Sequence, residues 1–230
     1  MKVNDDLWLA FWYAEKMNVA APQLPSKLRK LDTLAQEIYK DETLSEVYTA
    51  EADIQGVHVN SLSFSEVKIT NTTFAQAILE RTSFIDSIFS KCEFTACKLP
   101  EASWQRVAIH NGRASGIQLQ NSTLKNVVFK DCKLNLANFR FTTIKHSIFR
   151  NCELTEADFY NATLEEVAFE NCNLDKVELS GAKLKTVDLR TSDITNVFGI
   201  HNLGGAIIGN AQLMSLAPRL AAEYKIIVKD

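Results

Sequence analysis

Large apolar residues recur at every fifth position over most of this chain. Between residues 54 and 194, all 29 positions on this five-residue grid are apolar, and all but Ala114 are bulky. A repeat of five fits neither the 3.6-residue period of a helix nor the two-residue alternation of a simple strand. The pattern therefore indicates a repeating architecture whose unit is shorter than any ordinary helix or strand.

A second set of positions lies two residues before each large apolar residue. These positions hold small or β-branched residues, with Leu62 and Ile117 as bulky exceptions, and they include all five cysteines. Residues two apart lie on the same face of an extended chain. Each five-residue unit therefore predicts a short extended segment with two inward side chains, followed by a turn.

A longer period of 20 residues is marked by the pentapeptides KDCKL, RNCEL and ENCNL, which begin at residues 130, 150 and 170. Four extended segments of five residues make one square coil of this length. Stacked coils pair backbone to backbone about 4.8 Å apart, so the sequence predicts about seven coils and a rod on the order of 34 Å long. The cysteines then fill a small inward slot, because a free thiol packs as a small hydrophobic group.

The unit resembles the repeat of the pentapeptide-repeat proteins, Ala-(Asp/Asn)-Leu-x-x. The resemblance rests on two matches to this repeat, Ala137-Asn138-Phe139 and Ala157-Asp158-Phe159. Two close variants are Ala52-Asp53-Ile54 and Cys172-Asn173-Leu174. The resemblance spans about residues 50–198. It implies an all-β fold, a right-handed quadrilateral β-helix.

The two ends of the chain depart from the repeat and are expected to close the solenoid, because open coil edges aggregate. We predict a helical N-terminal cap over residues 1–48, the β-helix over 49–198, and a helix/strand cap over 199–230. The N-terminal cap comprises helices at 5–17 and 26–40, and the C-terminal cap a helix at 210–222 and a strand at Ile226–Val228. The first helix is rich in aromatic residues, so docking to a partner or to a membrane surface is the alternative to a lid.

The C-terminal end resembles that of the family's quinolone-resistance branch, in which this region makes the dimer contact. The resemblance implies a homodimer, with capping of a monomer as the alternative. The candidate dimer contacts are Leu213, Leu216, Leu220, Ile226 and Val228.

The composition and the absence of known catalytic motifs argue against an enzymatic function. The chain of 230 residues has a formal net charge of −3, so its totals require neither nucleic acid nor a membrane, and no direct nucleic-acid binding is expected. The five cysteines, an odd number without a secretory signal, favour reduced thiols in the cytoplasm. No phosphate-binding loop, CxxC pair or HExxH motif occurs, so we expect no catalytic residues, no cofactor and no metal.

Two functions from different classes remain. The first is a non-catalytic scaffold that presents flat walls to a protein partner. The second, implied by the resemblance, is a DNA mimic that binds gyrase or topoisomerase IV and protects against quinolones. The charge fits the second poorly: residues 54–194 hold 16 acidic and 16 basic residues, with a basic band at 98–150 and an acidic band at 150–178.

Candidate interaction residues come from two stretches. Residues 105–118 contain two glycines and the small Ala114, so His110 and Arg113 could lie on a widened turn, or the coil could simply be poorly filled. The acidic band could still imitate a short duplex if the basic residues point elsewhere. Its candidate residues are Glu153, Glu156, Asp158, Glu165 and Glu166.

Overall fold

The computed structural model describes residues 19–39 and 42–229. The chain is a parallel β-solenoid of about nine turns with few helices, which confirms the predicted β-helix. The first half contains short strands. They are β1 (Arg29–Lys30), β2 (Thr43–Ser45), β3 (Val47–Ala50), β4 (His58–Asn60), β5 (Ser63–Ser65), β6 (Lys68–Thr70) and β7 (Ile78–Glu80).

From residue 83 onwards the strands are longer, and each of them crosses one corner of the coil. They are β8 (Ser83–Ser90), β9 (Ser103–His110), β10 (Thr123–Lys130), β11 (Thr143–Arg150), β12 (Thr163–Glu170) and β13 (Lys183–Asp188). A two-residue strand, β14 (Ala206–Ile207), ends the sheet. The helices are α1 (Leu34–Glu37), a 3₁₀ turn at Ile200–Asn202, and α2 (Asn210–Glu223).

The register of the strands confirms a coil of 20 residues. Leu124 pairs with Ile144 in the next coil, Ile144 pairs with Leu164, and Leu164 pairs with Leu184. All of these pairings are parallel. Each residue therefore lies directly above its counterpart 20 positions earlier, and a side chain is supported mainly by its neighbours one coil away.

Four walls enclose the core, and we name them by their large inward residues. Wall A contains Phe74, Phe94, Ala114, Leu134, Leu154 and Leu174; wall B contains Leu79, Leu99, Leu119, Phe139, Phe159 and Leu179; wall C contains Phe64, Phe84, Trp104, Leu124, Ile144 and Leu164; wall D contains Phe89, Ile109, Phe129, Phe149, Phe169 and Leu189. Identical residues stack along a wall. On wall D the ring centroids of Phe129 and Phe149 are 5.0 Å apart, and those of Phe149 and Phe169 are 4.9 Å apart.

The corners between walls are formed by residues in the left-handed region of the backbone. Their φ angles lie between 47° and 60° for non-glycine residues. Asparagine is frequent there because its short polar side chain tolerates this conformation. One corner column contains Asn71, Asn111, Asp131, Asn151 and Asn171. The left-handed corner therefore explains why Asp or Asn precedes the cysteine in KDCKL, RNCEL and ENCNL.

The predicted number of about seven coils is too low. Additional turns come from residues before 54, where β2 pairs with β5 and β3 pairs with β6. At the other end β13 pairs with β14, beyond the last regular unit. Backbone pairing requires only an extended neighbour, so the solenoid continues where the side-chain pattern has already faded.

The N-terminal segment differs from the predicted lid. The helix predicted at 26–40 is reduced to α1, because residues 29 and 30 form β1 and pair with β3. Leu31, Leu34 and Ile38 are buried and belong to the core. The other predicted helix, at 5–17, lies outside the described residues.

Residues 19–25 form a strap along the outside of the rod, crossing the coils. The backbone N–H of Ala20 donates to the Asn126 side-chain oxygen at 3.1 Å, and that of Gln23 donates to Asp86 Oδ1 at 2.9 Å. Asn126 and Asp86 are corner residues two coils apart. Three residues of extended chain span about 10 Å, which matches two coil steps of about 4.8 Å.

At the C-terminal end, α2 confirms the predicted helix. Gln212 fastens it to the last coil: its side-chain N–H groups donate to the backbone oxygens of Leu189 and Ser192 at 2.8 and 2.7 Å. The strand predicted at Ile226–Val228 is wrong, because these residues are exposed and pair with no strand among the described residues. A hydrophobic run forms a strand only beside an available edge, and the single chain places none next to it.

Candidate protein-interaction surface

The cysteines lie inside the solenoid, on the small inward positions. All five cysteines are free and buried. The thiol of Cys152 lies 3.4 Å from the backbone oxygen of Phe129, and that of Cys172 lies 3.3 Å from that of Phe149. In the described part of the chain, no three His, Cys, Asp or Glu side chains are grouped to hold a metal ion. The cysteines are a packing feature of the core.

The recognition patch predicted at residues 105–118 is not a loop. The segment continues through β9 and stays in register, with Glu93 pairing to Arg113 and Arg113 to Lys133. His110 is only 7% exposed, so it presents little surface to a partner. The guanidinium of Arg113 is exposed and forms an ion pair with Glu93 at 2.9 Å. Residues 105–118 therefore belong to a regular coil of the solenoid.

The charged bands of the sequence become ion pairs between neighbouring coils. Residues 20 apart lie above one another, so a basic band followed by an acidic band places opposite charges in contact. Lys145 lies 2.7 Å from Glu165, and His146 Nδ1 lies 2.9 Å from Glu166. Lys185 approaches Glu165 from the other side. Hydrogen bonds from Lys145 and Lys185 lower the pKa of Glu165 to about 2.

The acidic band of the sequence is not one surface in the structure. Glu165 lies on wall C and Glu166 at the corner that follows it. Glu153 lies on wall A, and Asp158 lies on wall B. Among the described residues, the carboxylates of the band are thus divided between walls, and several of them contact cations. The band does not form a continuous acidic stripe.

Wall B brings two of the predicted acidic residues into a surface that the sequence did not reveal. An open groove of about 700 Å³ lies over the last coils. Its lining residues combine carboxylates, cations and aromatic rings: Arg140, Glu156, Asp158, Tyr160, Lys176, Glu178 and Phe198. We call this surface the wall B groove.

The polar residues of the wall B groove hold its shape. Arg140 donates to Asp158 at 3.0 Å, and its guanidinium lies 4.5 Å from the centroid of the Tyr160 ring. Asp158 in turn accepts the backbone N–H of Tyr160 at 2.8 Å. Lys176 lies 3.5 Å from Glu156. Carboxylates outnumber cations in the lining, so the groove favours a cationic ligand.

Two bulky apolar residues flank the groove in an unusual backbone conformation. Leu136 and Phe141 are 59% and 49% exposed, and both occupy left-handed corners with φ of 59° and 58°. Such a conformation costs about 1–2 kcal/mol for a residue with a Cβ atom. The Phe141 ring contacts the Tyr160 ring edge-on, with centroids 5.8 Å apart. Neither position serves the core, which indicates a role at the surface.

Sequence reasoning also missed the apolar outer face of wall D. In five successive coils of this wall, the outward residue before the large residue is apolar and buried: Ile88, Ala108, Val128, Ile148 and Ala168. Val19 of the strap forms one hydrophobic cluster with the last three of them. The signal was present in the sequence, because only on this wall is the residue before the large residue apolar in five successive coils.

The predicted dimer contacts do not all remain accessible. Leu216 is fully buried against the end of the solenoid, and Leu220 packs partly on the core. Leu213, Ile226 and Val228 are exposed. Only these three could meet a second copy directly.

Two family models match the repeat. The model described as "Pentapeptide repeat region" matches residues 122–198, and "Pentapeptide repeats (8 copies)" matches residues 63–102. Together they cover half of the chain. The chain belongs to the pentapeptide-repeat family. This family consists in general of structural and interaction scaffolds. No curated protein sequence matches the chain.

Several solved pentapeptide-repeat structures are similar to this protein. A trypsin-treated variant of QnrB1, a plasmid-mediated fluoroquinolone resistance protein, has 20% identity and a TM-score of 0.42, covering 87% of this chain and 96% of its own. HetL of the cyanobacterium Nostoc, involved in heterocyst differentiation regulation, has 16% identity and a TM-score of 0.31, covering 73% and 90%. Rfr23 of Cyanothece has 15% identity and a TM-score of 0.21, covering 71% and 88%. In the described chain, no helix has the length and apolarity of a membrane span.

Proposed function

We propose that this pentapeptide-repeat protein is a non-catalytic scaffold that binds a protein partner through the wall B groove. The observation that carries the proposal is the pair of exposed apolar residues at strained corners, Leu136 and Phe141. They destabilise the single chain twice, through their backbone conformation and through their contact with water. A partner that covers them removes the second cost.

The composition of the groove supports the same function. Tyr160 and Phe198 add aromatic surface, and aromatic residues are enriched in the buried centres of protein interfaces. The carboxylates around them supply direction and specificity rather than most of the affinity. The surface is built on stacked coils that are joined by backbone hydrogen bonds, so it is rigid and little conformational entropy is lost when a partner binds.

Site-specific photo-crosslinking tests this proposal. We expect a benzophenone side chain at Leu136 to give a discrete crosslinked protein in cells, which Tyr160→Ala combined with Phe198→Ala abolishes. Thr123 on wall C is exposed and offers the matched control position. Equal crosslinking from positions 136 and 123, or none from position 136, would contradict the proposal.

Protection of a type II topoisomerase by DNA mimicry is the second candidate. The carboxylates Glu156, Asp158 and Glu178, which come together on wall B, favour it. Two of them contact cations, however, and the other acidic candidates lie on different walls. A duplex imitation needs a continuous negative face against the basic DNA-binding surface of the enzyme. We therefore rank this function below the scaffold.

A gyrase supercoiling assay separates the two candidates. With rising protein concentration, we expect neither inhibition of supercoiling nor rescue from ciprofloxacin. Glu156→Gln combined with Glu178→Gln is the informative variant if an effect appears. Rescue that this variant removes would establish the DNA mimic in place of our first proposal.

A further inference from the structure

The last residues of the described chain form an exposed apolar and basic tail. We define the tail as residues 224–229, which follow α2 directly. Ile226, Ile227 and Val228 are 61%, 82% and 76% exposed, and Lys225 and Lys229 are exposed as well. Consecutive large aliphatic residues in water are unfavourable by about 25 cal/mol per Å² of apolar surface. The tail therefore has the properties of a segment that is covered in an assembly.

We propose that the wall B groove of one molecule binds the tail of a second copy. This inference rests on the scaffold function proposed above and names its partner. It differs from a dimer made by helix α2 end to end, because the receiving surface lies on the side of the rod. The site of each molecule is incomplete without the tail of its partner.

The chemistry of the tail and of the groove is complementary. Lys225 has φ of 54°, and the backbone N–H of Ile226 donates to the backbone oxygen of Ala221 at 2.7 Å, so the extended part of the tail begins at Ile226. In an extended segment Ile226 and Val228 point to one side, and Ile227 and Lys229 point to the other. The apolar side suits the aromatic and aliphatic surface of the groove, whose exposed members include Phe198 at 48%. The lysines have long, flexible side chains that can turn towards the carboxylates of Glu156 and Glu178. Opposite charges at the rim then orient the tail.

The dimensions of the two surfaces agree. Leu136 and Phe198 lie three coils apart, which is about 14 Å along the rod. Residues 226–229 follow the turn and reach about 13 Å when extended, which is close to the length of the groove. Both features lie near the C-terminal end of the rod. Two molecules placed side by side with a two-fold axis can therefore exchange tails, and the arrangement closes at a dimer.

The contact is small, which sets the expected affinity. Two short tails bury less surface than a standard interface of about 1,600 Å². We expect a dissociation constant on the order of 1–100 μM. Sedimentation velocity over about that range of concentration is the appropriate measurement, on the full chain.

Charge reversal supplies the decisive variants. The tail variant carries Lys225→Glu and Lys229→Glu, and the groove variant carries Glu156→Lys and Glu178→Lys. In either variant alone, like charges face each other in both contacts, and we expect dimerisation to weaken at least about 10-fold. In an equimolar mixture both contacts of the heterodimer are again complementary, so association should return. Lys183→Glu on wall C is the matched control and should dimerise as the parent does.

The other outcomes are distinguishable. A dimer that survives the groove variant but is lost with Leu213→Asp and Met214→Asp would show an end-to-end contact and overturn this inference. A monomer throughout the concentration range would overturn it too, including a monomer whose tail covers its own groove. In each of these cases, a crosslink from Leu136 to a different protein would leave the scaffold function standing.

Discussion

At the scale of single residues, position within the five-residue unit determines the role of a side chain. A cysteine on the small inward position packs in the core as a small hydrophobic residue, although a thiol can also bind metals or react. A leucine or phenylalanine on a corner position is exposed, although the same residue two positions earlier is buried. Leu136 and Phe141 stand out because their neighbours on the corner columns are polar residues or glycine.

The buried thiols should be unreactive in the folded protein. Burial raises the pKa of Cys92 to about 11 and that of Cys97 to about 12. A hydrogen bond with the neighbouring thiol, together with burial, also raises the pKa of Cys152 and of Cys172. The thiolate is the reactive form, so at about pH 8 its population is very small. We expect less than one equivalent of Ellman's reagent to react natively and all five cysteines in denaturant. Rapid native reaction would disprove the packing role.

At the scale of elements, a strand or helix forms where its backbone finds a partner. Residues 29 and 30 carry a helical pattern but form β1 because the β3 edge lies beside them. The tail carries a strand pattern but has no such edge. The local sequence pattern therefore predicted the secondary structure inside the solenoid but not at its two ends. There, the secondary structure depends on whether a neighbouring strand edge is available.

The junction between the last coil and α2 requires glycine at one position. Gly205 has φ of 91°, and a Cβ atom there would lie 2.0 Å from the backbone oxygen of Leu184. We expect Gly205→Ala to lower the free energy of unfolding by at least about 2 kcal/mol and to separate α2 from the last coil. Gly204→Ala is the control, since a Cβ there meets nothing within 4 Å. Chemical denaturation of both variants is the test, and equal stability would refute the steric argument.

At the scale of the whole molecule, the strap connects coils that are distant in sequence. Contacts in a solenoid are otherwise made between adjacent coils. The strap adds contacts between residues 19–23 and coils that begin more than 60 residues later. Its Val19 also packs on Val128, Ile148 and Ala168 of the apolar outer face of wall D. The strap therefore couples the middle of the rod to its first turn.

A polar substitution in the strap should release it. Val19 is buried in a cluster with Val128, Ile148 and Ala168. Val19→Asp should cost about 2 kcal/mol of stability, because one buried aliphatic side chain is lost and a charge cannot remain there. Hydrogen exchange should accelerate at the amides of Ala20 and Gln23. Gln23→Ala is the control, since only its backbone N–H bonds to Asp86. Unchanged exchange in Val19→Asp would show that the strap is held elsewhere.

The sequence by itself determined the coil, its 20-residue pitch and the inward residues of all four walls. It could do so because every five-residue unit repeats the same short-range requirement, two inward side chains and one turn, so that the signal accumulates along the repeat. Tertiary structure decided which residues meet on the outside. Arg140, Tyr160 and Phe198 come from three different coils, and the strap meets wall D from the far end of the chain. Such surfaces depend on stacking order and on which edges and faces remain uncovered, and no local pattern records these.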